Sequence, residues 1–185
     1  MSESERLRIM IVEDHFVVRT GLSAIINSQP DMVTVAEARN GREAIDFYRE
    51  HQPDVTLMDL RIPLLSGTEA IAAIVSEFPR AKIIVLSTFG GDEDIFQALQ
   101  AGARAYFLKD VKGQDLIGAI RAVNAGQRLL PPEIAARLAE RIINDHSPRL
   151  RYTVGPFGER LGPKLKSILP YRIYEYLFMK HYKLA

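Results

Sequence analysis

The chain has no cysteine, which excludes disulfides, thiolate zinc sites and cysteine nucleophiles. Its four histidines are scattered and offer no metal-ligand spacing. No apolar stretch reaches the roughly 18 residues a membrane span needs. The first six residues, MSESER, are polar and acidic and hold no signal-peptide core. A cytoplasmic location with no membrane contact is the expectation. Net charge is also nearly absent, at +1 over 185 residues. That balance hides an asymmetry. Residues 144–185 hold eight basic and three acidic side chains, so this tail carries +5 and residues 1–143 carry −4. Such a division points to two parts with different partners.

What is present is a soluble, core-forming composition, 47% hydrophobic and 25% charged. Short runs rich in Val, Ile and Leu at 7–12, 32–38, 54–58, 82–87 and 103–108 predict buried strands. Segments of helical period lie between them. Val18, Leu22 and Ile25 share one face, as do Ala44 and Tyr48, then Ile71, Ile74, Val75 and Phe78. Ile95 with Leu99, and Leu116 with Ile120 and Val123, complete the series. Ser66 and Glu69 have capping-box spacing, and Gly102 and Gly126 stand where helices should stop. Five strand–helix repeats predict an α/β fold, a doubly wound five-stranded parallel sheet. Right-handed crossovers bring every strand's C-terminal end to one edge. In the flavodoxin-like order 2-1-3-4-5, ligands bind there between strands 1 and 3.

Those two strands end in Glu13-Asp14 and in Asp59. Three converging carboxylates can hold Mg²⁺, which favours oxygen ligands, and leave Asp59 as a nucleophile toward phosphorus. Strand 4 ends in Ser87-Thr88, a hydroxyl for a phosphoryl oxygen, and strand 5 is followed by Lys109, an ammonium for another. Each has a plainer reading: a solvated loop acid, an acidic helix start, turn chemistry, a surface lysine. Their joint placement at one edge favours the phosphoryl-transfer reading.

The segments "IVEDH", "VTLMDLRIPLLSG", "VLSTF" and "GARAYFLKD" match, in order and spacing, the receiver domain of bacterial two-component response regulators. Residues 7–124 resemble that family. "GDEDIFQALQAGARAYFLKD" followed by "AIRAVNAGQRLLPPEIAARLAER" is similar to the NarL/FixJ (LuxR-type) transcriptional group. The resemblance implies that Asp59 accepts phosphate from a sensor histidine kinase. Glu13, Asp14 and Asp59 would hold Mg²⁺ with the backbone carbonyl of Arg61, and Thr88 and Lys109 would contact the phosphoryl group. Thr88 and Tyr106 would form the switch that alters an output or homodimerisation surface. The plainer reading of Tyr106 is a half-buried strand residue with its hydroxyl outward. The protein would be no ordinary enzyme but a self-phosphorylating acceptor able to lose its phosphate again. Asp110 departs from the proline that many receivers place after the lysine.

The implied division is a receiver over 6–124, a linker with a helix over 125–143, and a tail over 144–185. Pro131-Pro132-Glu133 predicts the linker helix start, with Ile134, Leu138 and Ile142 at i+4 spacing. The tail holds five of the seven tyrosines and prolines at 148, 156, 163 and 170. It shows no helix-turn-helix pattern where the family continues into a DNA-binding domain. A truncation or frame change is the expectation, and DNA contact would rest on the tail's charge. The competing reading is a stand-alone receiver or adaptor that binds partners without phosphate. An aspartyl-phosphate phosphatase needs a second acid where Arg61 stands, and a flavin's phosphate would meet the acids after strand 1.

Overall fold

The computed structural model describes residues 6–88, 91–130 and 135. Five parallel strands alternate with five helices: β1 Leu7–Val12, α1 Phe16–Asn27, β2 Met32–Ala38, α2 Gly41–His51, β3 Val55–Met58, α3 Gly67–Glu77, β4 Ile83–Ser87, α4 Asp92–Ala101, β5 Ala105–Leu108 and α5 Gly113–Asn124. The sheet order is β2-β1-β3-β4-β5, as expected from the strand–helix repeat. β3, β4 and β5 begin one or two residues later than their apolar runs suggest. At β3 the reason is visible: Asp54 spends its side chain on the backbone N–H of Arg8, 2.8 Å away, to tie down the strand entrance.

The period-2 alternation of each strand feeds two cores. Ile9, Ile11, Val55, Leu57, Ile84 and Leu86 pack with Ile26 of α1 and with Leu116, Ile120 and Val123 of α5. Met10, Val12, Met58 and Val85 pack on the other face with residues of α2, α3 and α4. Both faces are therefore covered, which explains why the strands read as unbroken apolar runs.

Helix boundaries follow local chemistry. Ser66 and Glu69 form the expected capping box at α3. Gly102 ends α4 at φ 116°, a left-handed conformation that suits glycine. On α1 the buried face is turned from the expected one. Ile25 is 38% exposed, whereas Arg19 and Ile26 are buried. Leu129 bridges to Ala105 at the sheet's open edge, and Ala135 is helical and buried. The remaining linker-helix positions and the tail lie outside the described residues.

Candidate functional site

Backbone hydrogen bonds continue past the strand ends and set the site. The N–H of Glu13 donates to the carbonyl of Ala38 at 3.0 Å, and that of Asp59 to the carbonyl of Val12 at 2.9 Å. The N–H of Lys109 donates to the carbonyl of Ser87, also at 2.9 Å. Each functional residue is thus held in ladder register one step beyond its strand. A close backbone crossing lies behind them: a Cβ on Gly67 would fall 2.1 Å from the carbonyl oxygen of Asp59.

Lys109 bridges two buried acids. Its Nζ lies 2.6 Å from Glu13 Oε2 and 2.7 Å from Asp59 Oδ2. The other Asp59 oxygen, Oδ1, accepts from the backbone N–H of Arg61 at 3.1 Å. Burial pulls the Lys109 pKa down, but hydrogen bonds and charge from Asp59 and Glu13 outweigh it, and the net shift is upward. The ammonium therefore stays charged between the carboxylates.

Donor atoms of Glu13, Asp14, His15 and Asp59 lie within 4.8 Å of one another. Asp14 Oδ1 is shielded from solvent and accepts no hydrogen bond. Three carboxylates against one ammonium make an oxygen donor set with an excess of negative charge, which fits a divalent cation.

The structure brings together Glu13, Asp14, Asp59 and Lys109. Arg61 follows closely, its backbone bonded to Asp59 and its guanidinium 3.9 Å from Asp94 of α4. Thr88 is exposed just after β4. Tyr106 is fully buried, not half-buried, and packs in the core shared with α3 and α4. The expected departure at Asp110 leaves no cis peptide bond among the described residues.

Two site residues escaped sequence reasoning. Arg19 is 5% exposed. Its Nη1 donates to the carbonyls of Glu13 at 2.7 Å and Asp14 at 3.3 Å, and its Nε lies 3.4 Å from Glu37. It therefore holds the β1–α1 turn that presents both acids. His15, set aside with the other histidines for want of spacing, turns its ring onto the same acids: Nδ1 is 3.0 Å from Glu13 Oε1 and 3.0 Å from Asp14 Oδ1. Its adjacency to Glu13-Asp14 was the available signal.

Residues 9–121 match the response regulator receiver domain. The chain is 39% identical over 165 residues to the oxygen regulatory protein NreC of Staphylococcus carnosus, covering 89% of this chain and 76% of that protein. It is 36% identical over 132 residues to the transcriptional regulatory protein LnrK of Bacillus subtilis, covering 71% of this chain and 60% of that one. A crystal structure of a LuxR-family two-component response regulator from Aurantimonas sp. SI85-9A1 superposes with a TM-score of 0.70 at 37% identity, covering 75% of this chain and 99% of that one. The chain belongs to the response regulator family, with a receiver domain of the LuxR/NarL type. Receiver domains of this kind bind Mg²⁺ at an acidic pocket, take phosphate from sensor histidine kinases and often dimerise.

Proposed function

We propose that this protein takes a phosphoryl group on Asp59 and uses it to switch an output or dimerisation surface. The observation that carries the reading is the convergence of Glu13, Asp14, Asp59 and Lys109 at the C-terminal edge of the sheet. An Asp59 carboxylate oxygen attacks phosphorus. The new O–P bond forms as the bond to the donor breaks, and the donor's leaving group departs with the electron pair. Lys109, already 2.7 Å from Asp59, is placed to meet a phosphoryl oxygen, and the Thr88 hydroxyl takes another. Glu13, Asp14, Asp59 and the Arg61 carbonyl are the residues that would hold Mg²⁺. When bound, it would supply charge neutralisation at the transferring group.

Thr88 and Tyr106 couple the event to the face formed by α4, β5 and α5. The donor is a sensor histidine kinase and the product state favours a homodimer. The role is that of an acceptor that also loses its phosphate, not of an ordinary enzyme. A cytoplasmic location agrees with the lack of a membrane-length apolar helix among the described residues. We assign the receiver to 6–124, the linker to 125–143 and the tail to 144–185. The end of α5 at Asn124 supports the first boundary. DNA contact, where transcription is the output, falls to the tail or to a partner.

Incubation with Mg²⁺ and acetyl phosphate tests the reading. Wild-type protein is expected to gain an acid-stable, base-labile adduct and to shift in oligomeric state. Asp59→Asn is expected to do neither. Absence of any adduct, from this donor and from a matched kinase, would contradict the proposal.

A further inference from the structure

We infer that Arg19 is a positioning residue for phosphate acceptance: its guanidinium fixes the turn from which Glu13 and Asp14 would hold Mg²⁺, and so sets how tightly that ion is bound. The inference rests on the reading of this sheet edge as a Mg²⁺-dependent phosphate acceptor.

Burying a guanidinium is costly unless its donors are used. Arg19 is 5% exposed. The carboxylate paired with it, Glu37 at 3.4 Å, is 40% exposed and is solvated on its own account. The shorter bond goes to the backbone. Nη1 donates to the Glu13 carbonyl at 2.7 Å and to the Asp14 carbonyl at 3.3 Å. The Phe16 ring lies 5.8 Å from the guanidinium carbon, within reach of a cation–π contact.

Only residues 13–15 separate β1 from α1. One end of this turn is tied to β2, because the Glu13 N–H donates to Ala38 at 3.0 Å. The other end is tied to α1, because the His15 carbonyl accepts from the Arg19 N–H at 3.0 Å. The carbonyls of Glu13 and Asp14 fall between ladder and helix. Among the described residues no backbone N–H donates to either. The Arg19 side chain supplies that missing partner, and a turn released there would shift both carboxylates together. Loss of the side chain strands no buried charge, since Glu37 is half-exposed. Lysine lacks the planar fork and replaces the contacts only in part.

Mg²⁺ titration and acetyl phosphate labelling of the full chain test this, in wild type, Arg19→Met, Arg19→Lys and Ile26→Val. Ile26 is buried on the same helix and packs with residues of the α1 and α5 core, so Ile26→Val lowers the urea midpoint without touching the acids. Arg19→Met is expected to raise the Mg²⁺ dissociation constant, and the Mg²⁺ concentration for half-maximal labelling, about tenfold. Arg19→Lys is expected to raise both about threefold, and Ile26→Val to stay within about twofold of wild type. In metal-free protein, hydrogen exchange at the Glu13 and His15 amides of Arg19→Met should quicken about tenfold relative to that at Ile11. Wild-type Mg²⁺ affinity in either Arg19 variant would overturn the inference, as would an equal loss in Ile26→Val, which would trace the effect to stability. If wild type binds Mg²⁺ and takes phosphate while the Arg19 variants match it, only this inference falls. If wild type does neither, the reading of the site falls and the inference with it.

Discussion

The Lys109 ammonium sits 2.7 Å from Asp59 Oδ2 while also holding Glu13 at 2.6 Å. One cation thus tethers strand 5's end to the carboxylates of strands 1 and 3. Breaking a buried pair by removing one partner costs about 3 kcal/mol. Lys109→Ala is expected to lose about that much stability at pH 7 without divalent ions, measured by urea unfolding. Added Mg²⁺ should stabilise the variant more than wild type, because a cation then replaces the missing charge. Equal responses would show that Lys109 is not the charge partner of this cluster.

The pH dependence of that contact has a definite sign. Burial pulls the Lys109 pKa down, but the hydrogen bonds it donates to Asp59 and Glu13, together with their negative charge, outweigh that pull, and the folded pKa is raised. Its contribution is fully present below the unfolded lysine value of about 10.4 and is lost as pH rises through the higher folded value. The stability difference between wild type and Lys109→Ala should therefore shrink only in strong alkali.

Gly67→Ala should damage the site through the backbone. The added Cβ would lie 2.1 Å from the Asp59 carbonyl oxygen and 2.7 Å from Leu60 Cα. Neither neighbour is the flexible end of a side chain. Overpacking of this kind costs about 1–3 kcal/mol. A lowered melting temperature with slower phosphate acceptance is the expected pair of results, and a variant with wild-type values for both would refute the close-approach argument.

Leu64 offers a gain. It is 86% exposed and holds φ 66°, a left-handed conformation that branched and bulky residues rarely adopt. Relief of the Cβ clash is partly offset by the larger unfolded-state entropy of glycine. Leu64→Gly is expected to stabilise the domain by about 0.5–1 kcal/mol in chemical denaturation. A loss of stability would mean that Leu64 makes contacts its exposure conceals.

Asp31 and Arg121 form a two-bond pair, at 2.8 and 2.9 Å, that ties the start of β2 to α5. The hydrogen bond from Arg121 is the main reason the Asp31 pKa lies below its ordinary value. A depressed carboxylate stabilises above the unfolded value of about 4 and loses that contribution as pH falls through the folded one. Both side chains are over a third exposed or close to it, at 47% and 34%, so solvent screening keeps the contribution to about 0.5 kcal/mol. Asp31→Asn should show that deficit at pH 7 and none in acid.

Much of this was legible in the sequence because it depends on pattern. Apolar runs and helical periods are enough to order the strands, and the strand ends then bring Glu13, Asp14, Asp59 and Lys109 together. Arg19 was hidden because its partners are backbone carbonyls of Glu13 and Asp14, which carry no residue signature. Its burial also shifted the inner face of α1 away from Ile25. His15 was hidden because its role comes from a ring orientation, and spacing rules for histidine pairs do not describe a lone ring beside two acids. Tyr106 went fully into the core because β5 lies under α4, a tertiary fact that the short run AYFL does not encode.

The most direct test of the account is the position and chemical type of the phosphoryl adduct. Borohydride reduces an acyl phosphate on aspartate to homoserine and leaves phosphoserine and phosphohistidine unreduced. After treatment with acetyl phosphate and Mg²⁺, reduction and tandem mass spectrometry are expected to find homoserine at position 59 and nowhere else. Homoserine at another acid, or an adduct that borohydride leaves untouched, would contradict the assignment of Asp59 as the phosphoacceptor.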